Sequence, residues 1–190
     1  KNGKMKMKMK INKLINIIIA MLVLSELCFA ENINIKSTEI YSDKNILYLD
    51  VNSEIFFTKE ARKALLQGIS FEMHADFELR TKLKWLFKKN VLKKKISYKL
   101  EHKPLTDIYL VTNLVTGTIS YYKNLESTLN FISKINKMKL LNKNKLNENI
   151  DYMARIRFYI DIDSLPSPMR PRAYFSSDWN ISSNWHEWEI

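Results

Sequence analysis

Residues 69–80 read ISFEMHADFELR and place one histidine among three acidic side chains at alternating positions. On a strand, where successive side chains point to opposite faces, His74, Asp76 and Glu78 share one face. Glu72 lies on that face as well. An imidazole and carboxylates at this spacing could ligate a divalent metal or carry out acid–base catalysis. His74, Asp76 and Glu78 are therefore the candidate residues of a metal-dependent or acid–base hydrolase.

The same strand face also has a structural interpretation. In YMARIRFYIDI (152–162), Arg155 and Arg157 alternate with apolar residues. A neighbouring strand with arginines at these positions would pair with the carboxylates of residues 69–80. One histidine without a second one nearby is weak evidence for zinc, so no cofactor is predicted. Arg155 and Arg157 remain candidate binding residues.

Motifs of the common catalytic classes are missing from the sequence. After the first 30 residues the only glycines are Gly68 and Gly117. This leaves no G-x-S-x-G nucleophile elbow and no glycine-rich loop for a phosphate or a dinucleotide. The sequence therefore favours a chain without enzymatic activity, with the hydrolase as the alternative.

Three of the four tryptophans, Trp179, Trp185 and Trp188, lie in the last twelve residues. Burying one indole removes roughly 150–250 Å² from water, which stabilises a domain by several kcal/mol at about 25 cal/mol/Å². We therefore predict that Trp179 and Trp185 pack into the domain and act as a latch for the chain end. Trp188 is predicted to stay partly exposed as a candidate binding residue. An aromatic recognition patch or a membrane-interface anchor is the competing interpretation.

Residues 1–30 have the anatomy of a secretory signal peptide. Lysines precede an apolar stretch over 15–24, and Cys28 and Ala30 put small residues before a cleavage point. The apolar stretch is shorter than the roughly 20 residues that span a bilayer. We therefore expect a periplasmic or secreted protein, anchored in the inner membrane if the segment is retained. Because Cys28 is the only cysteine, residues 31–190 cannot form a disulfide.

Basic residues exceed acidic ones and give a net charge of +11. The first 30 residues hold six lysines, so nearly half of the excess belongs to that segment. No nucleic-acid partner is predicted for an exported chain. The lysine-rich run Lys82–Lys95, with Trp85 and Phe87, fits an anionic lipid surface, or else a solvated hairpin arm.

Hydrophobic periodicity predicts one α+β domain over 46–190, with 31–45 as a linker or a short first strand. Its main part is an antiparallel, curved, sandwich-like sheet of about seven strands that carries two helices. The predicted helices are 59–67, capped by Thr58 and ended by Gly68, and 125–141, with a buried stripe that includes Ile135 and Met138. The predicted strands are 46–57, 69–80, 95–102, 108–115, 118–123 and 152–162.

Several fragments occur in the order typical of one bacterial envelope family: FEMHADFELR with KWLF, ISYKLEHKPLTDIYLV, YYKNLESTLNFISKI, ARIRFYIDIDSLPSPMR and SSDWNISSNW. Over residues 46–190 the chain resembles the family catalogued as domain of unknown function 4390. The resemblance implies export and a gene neighbourhood with a nitrogen-regulation-type sensor kinase, but it implies no activity. Ser177 stands where the family has arginine, and lysines follow Trp85 where the family has acids.

These observations together favour a non-enzymatic envelope domain that binds a partner protein, either an envelope or a membrane protein. The hydrolase and the lipid-surface binder are the two alternatives.

Overall fold

The computed structural model describes residues 32–82 and 89–190. The predicted class is confirmed, since the described residues form an α+β fold with antiparallel sheets. They contain nine strands and three α-helices, slightly more than expected. The strands are β1 Ile33–Asp43, β2 Ile46–Ile55, β3 Phe71–Thr81, β4 Asn90–Lys103, β5 Ile108–Asn113, β6 Ile119–Tyr122, β7 Lys134–Asn142, β8 Tyr152–Ile160 and β9 His186–Glu189, and the helices are α1 Lys59–Leu66, α2 Leu125–Ile132 and α3 Arg170–Phe175.

The strands form two sheets that share one apolar core. The smaller sheet has the order β1-β2-β7, and the larger one has the order β6-β5-β4-β3-β8-β9. Every strand pair is antiparallel. The core joins apolar side chains of β2, α1 and α2 with those of β3 and β8. One face of the six-stranded sheet is therefore covered, and its opposite face, called here the outer face, carries the polar positions of β3 and β8.

Residues 31–45, left open between a linker and a short strand, contain the full strand β1. It pairs with β2 along its length, and Ile33 at its start is completely buried. The two strands are joined by a two-residue turn in which Lys44 and Asn45 have φ values of 47° and 66°, as a type I′ hairpin requires. The folded domain therefore begins before residue 46.

Helix α1 forms where its capping residues predict it. The Thr58 side chain accepts a hydrogen bond from the Ala61 N–H at 3.1 Å, which satisfies one of the free donors of the first turn. Gly68 follows the helix with a φ of 87°, a conformation that glycine adopts without strain. The helix buries Ala61, Ala64 and Leu65, so its short apolar side reaches the core.

The second predicted helix is too long. Helix α2 ends at Ile132, and strand β7 begins at Lys134. In a continuing helix, the Lys137 N–H would donate to the Ser133 carbonyl. Instead, that N–H donates to Asp50 Oδ1 at 2.5 Å, and the Ser133 carbonyl accepts from the Ser53 N–H and Oγ.

A bulge explains why strand β7 looked helical in the sequence. Leu49 and Val51, two apart on β2, pair with Met138 and Ile135, three apart on β7. Lys137 lies between them with a φ of 52°. The extra residue of a bulge changes the spacing of inward side chains from two to three, which imitates the period of a helix.

The register between β3 and β8 positions the candidate site. Asp76 lies opposite Arg157, and Glu78 lies opposite Arg155. The Asp161 N–H donates to the Glu72 carbonyl at 2.8 Å, which continues the register past the end of β8. The acids of one strand and the cations of the next therefore meet on the outer face.

No helix in residues 32–82 and 89–190 is both long and apolar enough to cross a membrane.

Candidate functional site

Two acids of β3 form ion pairs with two arginines of β8 on the outer face. Arg155 Nη2 is 2.8 Å from Glu78 Oε2, and Arg157 Nη2 is 3.0 Å from Asp76 Oδ2. On the other side of β3, Lys93 Nζ is 3.1 Å from Glu78 Oε1. The predicted pairing between these strands is confirmed, and the carboxylates of Asp76 and Glu78 already have cationic partners.

Glu78 is the most enclosed carboxylate of this group. Its side chain is 12 % exposed, and Arg80 on its own strand also contacts it. Burial alone would raise the pKa of Glu78, but hydrogen bonds and charge from Lys93 and Arg155 lower it below its ordinary value. Glu78 is therefore a carboxylate at neutral pH and is not suited to act as a general acid.

Trp185 covers these arginines from the solvent side. The guanidinium carbons of Arg155 and Arg157 lie 3.9 and 4.7 Å from its ring centroid, within the range of a cation–π interaction. The prediction that Trp185 would pack into the domain needs a correction, because the ring rests on charged groups outside the core. Trp185 therefore stacks on both arginines, and Arg157, whose side chain is 41 % exposed, is the more accessible of the two.

The other two C-terminal tryptophans lie against the core. Trp179 is 7 % exposed, and its ring stacks on Phe71 at 6.1 Å between centroids. Trp188, predicted as a partly exposed binding residue, is partly exposed, but its ring lies on the core side of the sheet, 6.3 Å from that of Phe77. An offset of three residues on a strand puts Trp185 and Trp188 on opposite faces, and sequence reasoning assigned these two faces the wrong way round.

His74 lies on the outer face but is only 6 % exposed. Its Nδ1 is 2.8 Å from the hydroxyl of Ser97 on β4. Its Nε2 faces two carboxylates, Asp161 Oδ2 at 3.6 Å and Glu72 Oε2 at 3.9 Å. Burial lowers the pKa of His74, and Lys95 acts in the same direction, while Asp161 and Glu72 oppose them.

The structure does not bring together the predicted set of His74, Asp76 and Glu78. The latter two point to the arginines of β8, and His74 points to Glu72 and Asp161 instead. The contribution of Asp161 was missed because it follows strand β8 and is brought to His74 only by the strand register. Its position on the same strand face as Arg155 was the signal that could have found it.

Strand β6 forms an edge of the larger sheet and differs from the other edges in its side chains. Its sequence ISYY contains no charged residue. Ile119 and Tyr121 are 47 % and 66 % exposed, and Val115 in the preceding turn is 74 % exposed. The edges β1, β7 and β9 all carry lysine, aspartate or glutamate. Charged side chains protect an edge strand against pairing with another chain, so β6 is the unprotected edge among these four.

A model of the family described as domain of unknown function (DUF4390) matches residues 30–189. The chain belongs to the DUF4390 family. A search of the curated proteins and a search of the solved structures found no match. The DUF4390 match includes β1, in agreement with the burial of Ile33 in the core.

The two remaining histidines of this DUF4390 domain have different surroundings. His102 Nε2 lies 3.0 Å from Asp107 Oδ1, and its Nδ1 is buried without a hydrogen-bond partner within the described residues. His186 is exposed beside Trp188. Neither ring stands next to a serine or threonine hydroxyl in the hydrogen bonds of the described residues, so no nucleophile–base pair is formed there.

The lysine-rich run of the DUF4390 chain is partly used within the domain. Lys82 pairs with Glu189, Lys93 with Glu78, and Lys95 lies over the Tyr159 ring. Trp85 and Phe87, the predicted aromatic part of a lipid-binding surface, lie outside the described residues. Binding of an anionic lipid surface through Lys82–Lys95 stays a prediction.

A groove of about 740 Å³ lies between the end of β2, α1, β5 and the start of α2. Arg62, Lys123 and Glu126 line it together with Phe56, which is 57 % exposed. Its lining therefore carries charges of both signs together with an exposed aromatic side chain. The groove therefore has the mixed polar and apolar character of a contact surface.

Proposed function

We propose that this DUF4390 chain is an exported, non-enzymatic envelope protein that binds an extended segment of an envelope or membrane protein along the edge of β6. The observation that carries this proposal is the uncharged edge strand with exposed Ile119 and Tyr121. A peptide that adds to such an edge gains main-chain hydrogen bonds for affinity, and alternate side chains provide specificity.

The backbone of β6 has the orientation that strand addition needs. The Asn113 N–H donates to the Thr118 carbonyl at 2.9 Å. Because hydrogen-bonded pairs alternate along an antiparallel ladder, Ser120 and Tyr122 also bond to β5. The N–H and C=O groups of Ile119 and Tyr121 then point away from β5 towards the open edge.

The side chains at this edge indicate the chemistry of the partner segment. Ile119 and Tyr121 are two apart on β6 and lie on the outer face, opposite Thr112 and Leu110 of β5. A strand added beside them would place its own alternate side chains against an isoleucine and a tyrosine. We therefore expect a segment rich in β-branched or aromatic residues at alternate positions.

Photo-crosslinking in cells tests the proposal. The photoreactive amino acid p-benzoylphenylalanine is placed at Tyr121, and at the exposed Glu39 of the charged edge β1 as the matched control. We expect one recurrent envelope adduct from position 121 and none from position 39. Equal adducts from both edges, or no adduct from position 121, would contradict binding at β6.

Two substitutions at Tyr121, made with the photoreactive residue at position 119, separate backbone pairing from side-chain contact. Tyr121→Ser removes the ring but keeps the outward N–H, whereas Tyr121→Pro removes both, at an edge position where proline is tolerated. We expect Tyr121→Pro to lower the adduct yield about tenfold, more than Tyr121→Ser does. A yield that Tyr121→Pro leaves unchanged would exclude strand addition.

Export is tested by the N-terminus of the protein isolated from the envelope. Small residues before the predicted cut, with the lysines and apolar stretch ahead of them, lead us to expect a mature chain that starts at Glu31. Intact mass and N-terminal sequencing check this. Replacing Ala30 by a bulky residue such as phenylalanine should block the cleavage and leave the protein attached to the membrane. A chain of unprocessed length in the cytosol would contradict export.

A further inference from the structure

The space in front of His74 Nε2 combines three groups that suit a metal ion. His74 Nε2, Asp161 Oδ2 and a Glu72 carboxylate oxygen all lie within 4.8 Å of one another. The two carboxylate side chains are each about one-third exposed, whereas His74 is 6 % exposed. The cluster is therefore reached from solvent on its acidic side and is held rigidly on its imidazole side.

The distances in this cluster are too long for hydrogen bonds. The two oxygens lie 3.6 and 3.9 Å from His74 Nε2, whereas hydrogen bonds between nitrogen and oxygen are about 2.7–3.2 Å long. Bonds of about 2.0–2.2 Å from zinc to nitrogen and oxygen, at tetrahedral angles, place two ligand atoms about 3.4 Å apart. The two nitrogen–oxygen distances of 3.6 and 3.9 Å are somewhat longer than this spacing, and the three atoms lie within 4.8 Å of one another, so small side-chain movements would bring them to a shared ion.

The second ring nitrogen of His74 has a hydrogen-bond partner that orients the imidazole. His74 Nδ1 lies 2.8 Å from Ser97 Oγ, which can accept the Nδ1 proton. With the proton on Nδ1, the lone pair of Nε2 is directed towards Glu72 and Asp161. Metal-ligating histidines almost always donate their other ring N–H to an oxygen in this way. His74 is therefore a buried side chain whose Nε2 has no partner within hydrogen-bond distance among the described residues.

The backbone around the cluster fixes the two acids in place. Glu72 and His74 alternate on β3, and the Asp161 N–H donates to the Glu72 carbonyl across the sheet. Asp161 Oδ1 accepts from the Asp163 N–H at 3.0 Å, so Oδ2 is the oxygen that remains for a ligand. Lys95, whose charge lowers the pKa of His74, is exposed, and its Nζ lies 5.6 Å from the centroid of the Tyr159 ring.

We propose that Glu72, His74 and Asp161 form a binding site for one divalent transition-metal ion, with Ser97 as the positioning residue of the imidazole. One imidazole and two carboxylates suit zinc or manganese better than the softer ions, which prefer sulfur ligands. Three protein ligands leave a fourth position for water or for a group of a bound partner. The site is separate from strand β6 and does not depend on the proposed binding there.

Calorimetric titration of the untagged protein, purified from the envelope as the cell processes it, tests the site with Zn²⁺ as the probe. We expect one ion per chain. His74→Gln and Asp161→Asn should weaken binding by at least about 100-fold, more than the about 10–100-fold typical of changes in outer-shell partners. Failure of the unchanged protein to bind Zn²⁺ would overturn the proposal.

Matched variants separate this site from surface binding. Asp76→Asn, on the same strand but paired with Arg157, and His186→Gln, an exposed histidine, should bind Zn²⁺ like the unchanged protein. An effect of either variant as large as that of Asp161→Asn would overturn the site.

Ser97→Ala should weaken Zn²⁺ binding about 10–100-fold, and Ser97→Thr, which keeps the hydroxyl, should restore it.

A thermal-shift measurement keeps the test decisive if His74→Gln does not fold. If Zn²⁺ binds the folded state but not the unfolded state, it raises the melting temperature of the protein. The melting temperature of each variant with Zn²⁺ is compared with that of the same variant without metal. Glu72→Gln and Asp161→Asn change side chains at the surface and should fold, yet both should lose the Zn²⁺-dependent rise. A rise retained in both variants would show that the ion binds elsewhere.

Discussion

Replacing Trp179 by alanine is expected to lower the free energy of unfolding by about 3–5 kcal/mol, the usual cost of truncating a buried tryptophan. The ring is 7 % exposed and stacks on Phe71, which in turn contacts Phe57 edge-on at 5.5 Å. Thr58 Oγ1 donates to the Asp178 carbonyl at 2.7 Å next to it. The cavity left by alanine would therefore open at the junction between the C-terminal segment and α1.

Trp179→Phe should behave differently, with a loss within about 1 kcal/mol. The indole Nε1 is buried and has no hydrogen-bond partner among the described residues, which costs about 1–3 kcal/mol for an unsatisfied donor. Phenylalanine removes that donor and keeps an aromatic ring over Phe71, so the two effects offset. Urea denaturation followed by circular dichroism measures both variants on the same scale.

Trp185→Ala is the control for this prediction. Its ring covers Arg155 and Arg157 outside the core, and losing two partly exposed cation–π contacts should cost about 1–2 kcal/mol. If Trp179→Ala costs no more than Trp185→Ala, the C-terminal segment is not held by Trp179. If Trp179→Phe costs as much as Trp179→Ala, the indole N–H has a partner in solution.

The part of the fold that follows from alternation alone was predictable. In β3 and β8 every second side chain is buried, so the alternation of apolar residues in 71–80 and 152–160 is sufficient to predict both faces. Opposite charge on the polar faces then indicated that the two strands are neighbours. The ion pairs of Arg155 and Arg157 follow from these two local observations.

Features that depend on distant partners were not predictable in the same way. Helix α2 ends because the Ser133 carbonyl and the Lys137 N–H, which would bond to each other in a longer helix, bond to Ser53 and Asp50 instead. These partners lie 80 and 87 residues away in the sequence. Strand β1 has few apolar residues, and its pairing with β2 and the burial of Ile33 place it in the fold. In each case a tertiary contact decided between two local structures of similar propensity.

The candidate metal ligands show the same limit. Glu72 and His74 were grouped from their spacing on one strand, but Asp76 on the same face went to Arg157. The third ligand came from Asp161, which lies beyond the end of the neighbouring strand. A one-residue change in the register between β3 and β8 would turn Asp161 to the other face of the sheet. The register of these two strands therefore decides which residues form the cluster.

Glu78→Gln is expected to lower the free energy of unfolding by about 2 kcal/mol at neutral pH. Removing the acid from a fully buried ion pair costs about 3–5 kcal/mol. The cost should be smaller here because Lys93 is 62 % exposed, although Glu78 and Arg155 are only 12 % and 18 % exposed. The variant would leave Lys93, Arg155 and Arg80 close together without the carboxylate that they share.

The pH dependence of this difference follows from the lowered pKa of Glu78. Its contribution is complete above the ordinary carboxyl pKa of the unfolded chain, near 4.5, and is lost as the pH falls through the lower pKa of the folded state. Urea denaturation of both proteins between about pH 7 and pH 3 should therefore show a difference in the free energy of unfolding that shrinks on acidification.

Glu54→Gln is the control, since the exposed Lys36–Glu54 pair should contribute less than about 1 kcal/mol. A Glu78→Gln difference that is no larger than the control, or that stays constant with pH, would mean that the carboxylate is not held by its cations.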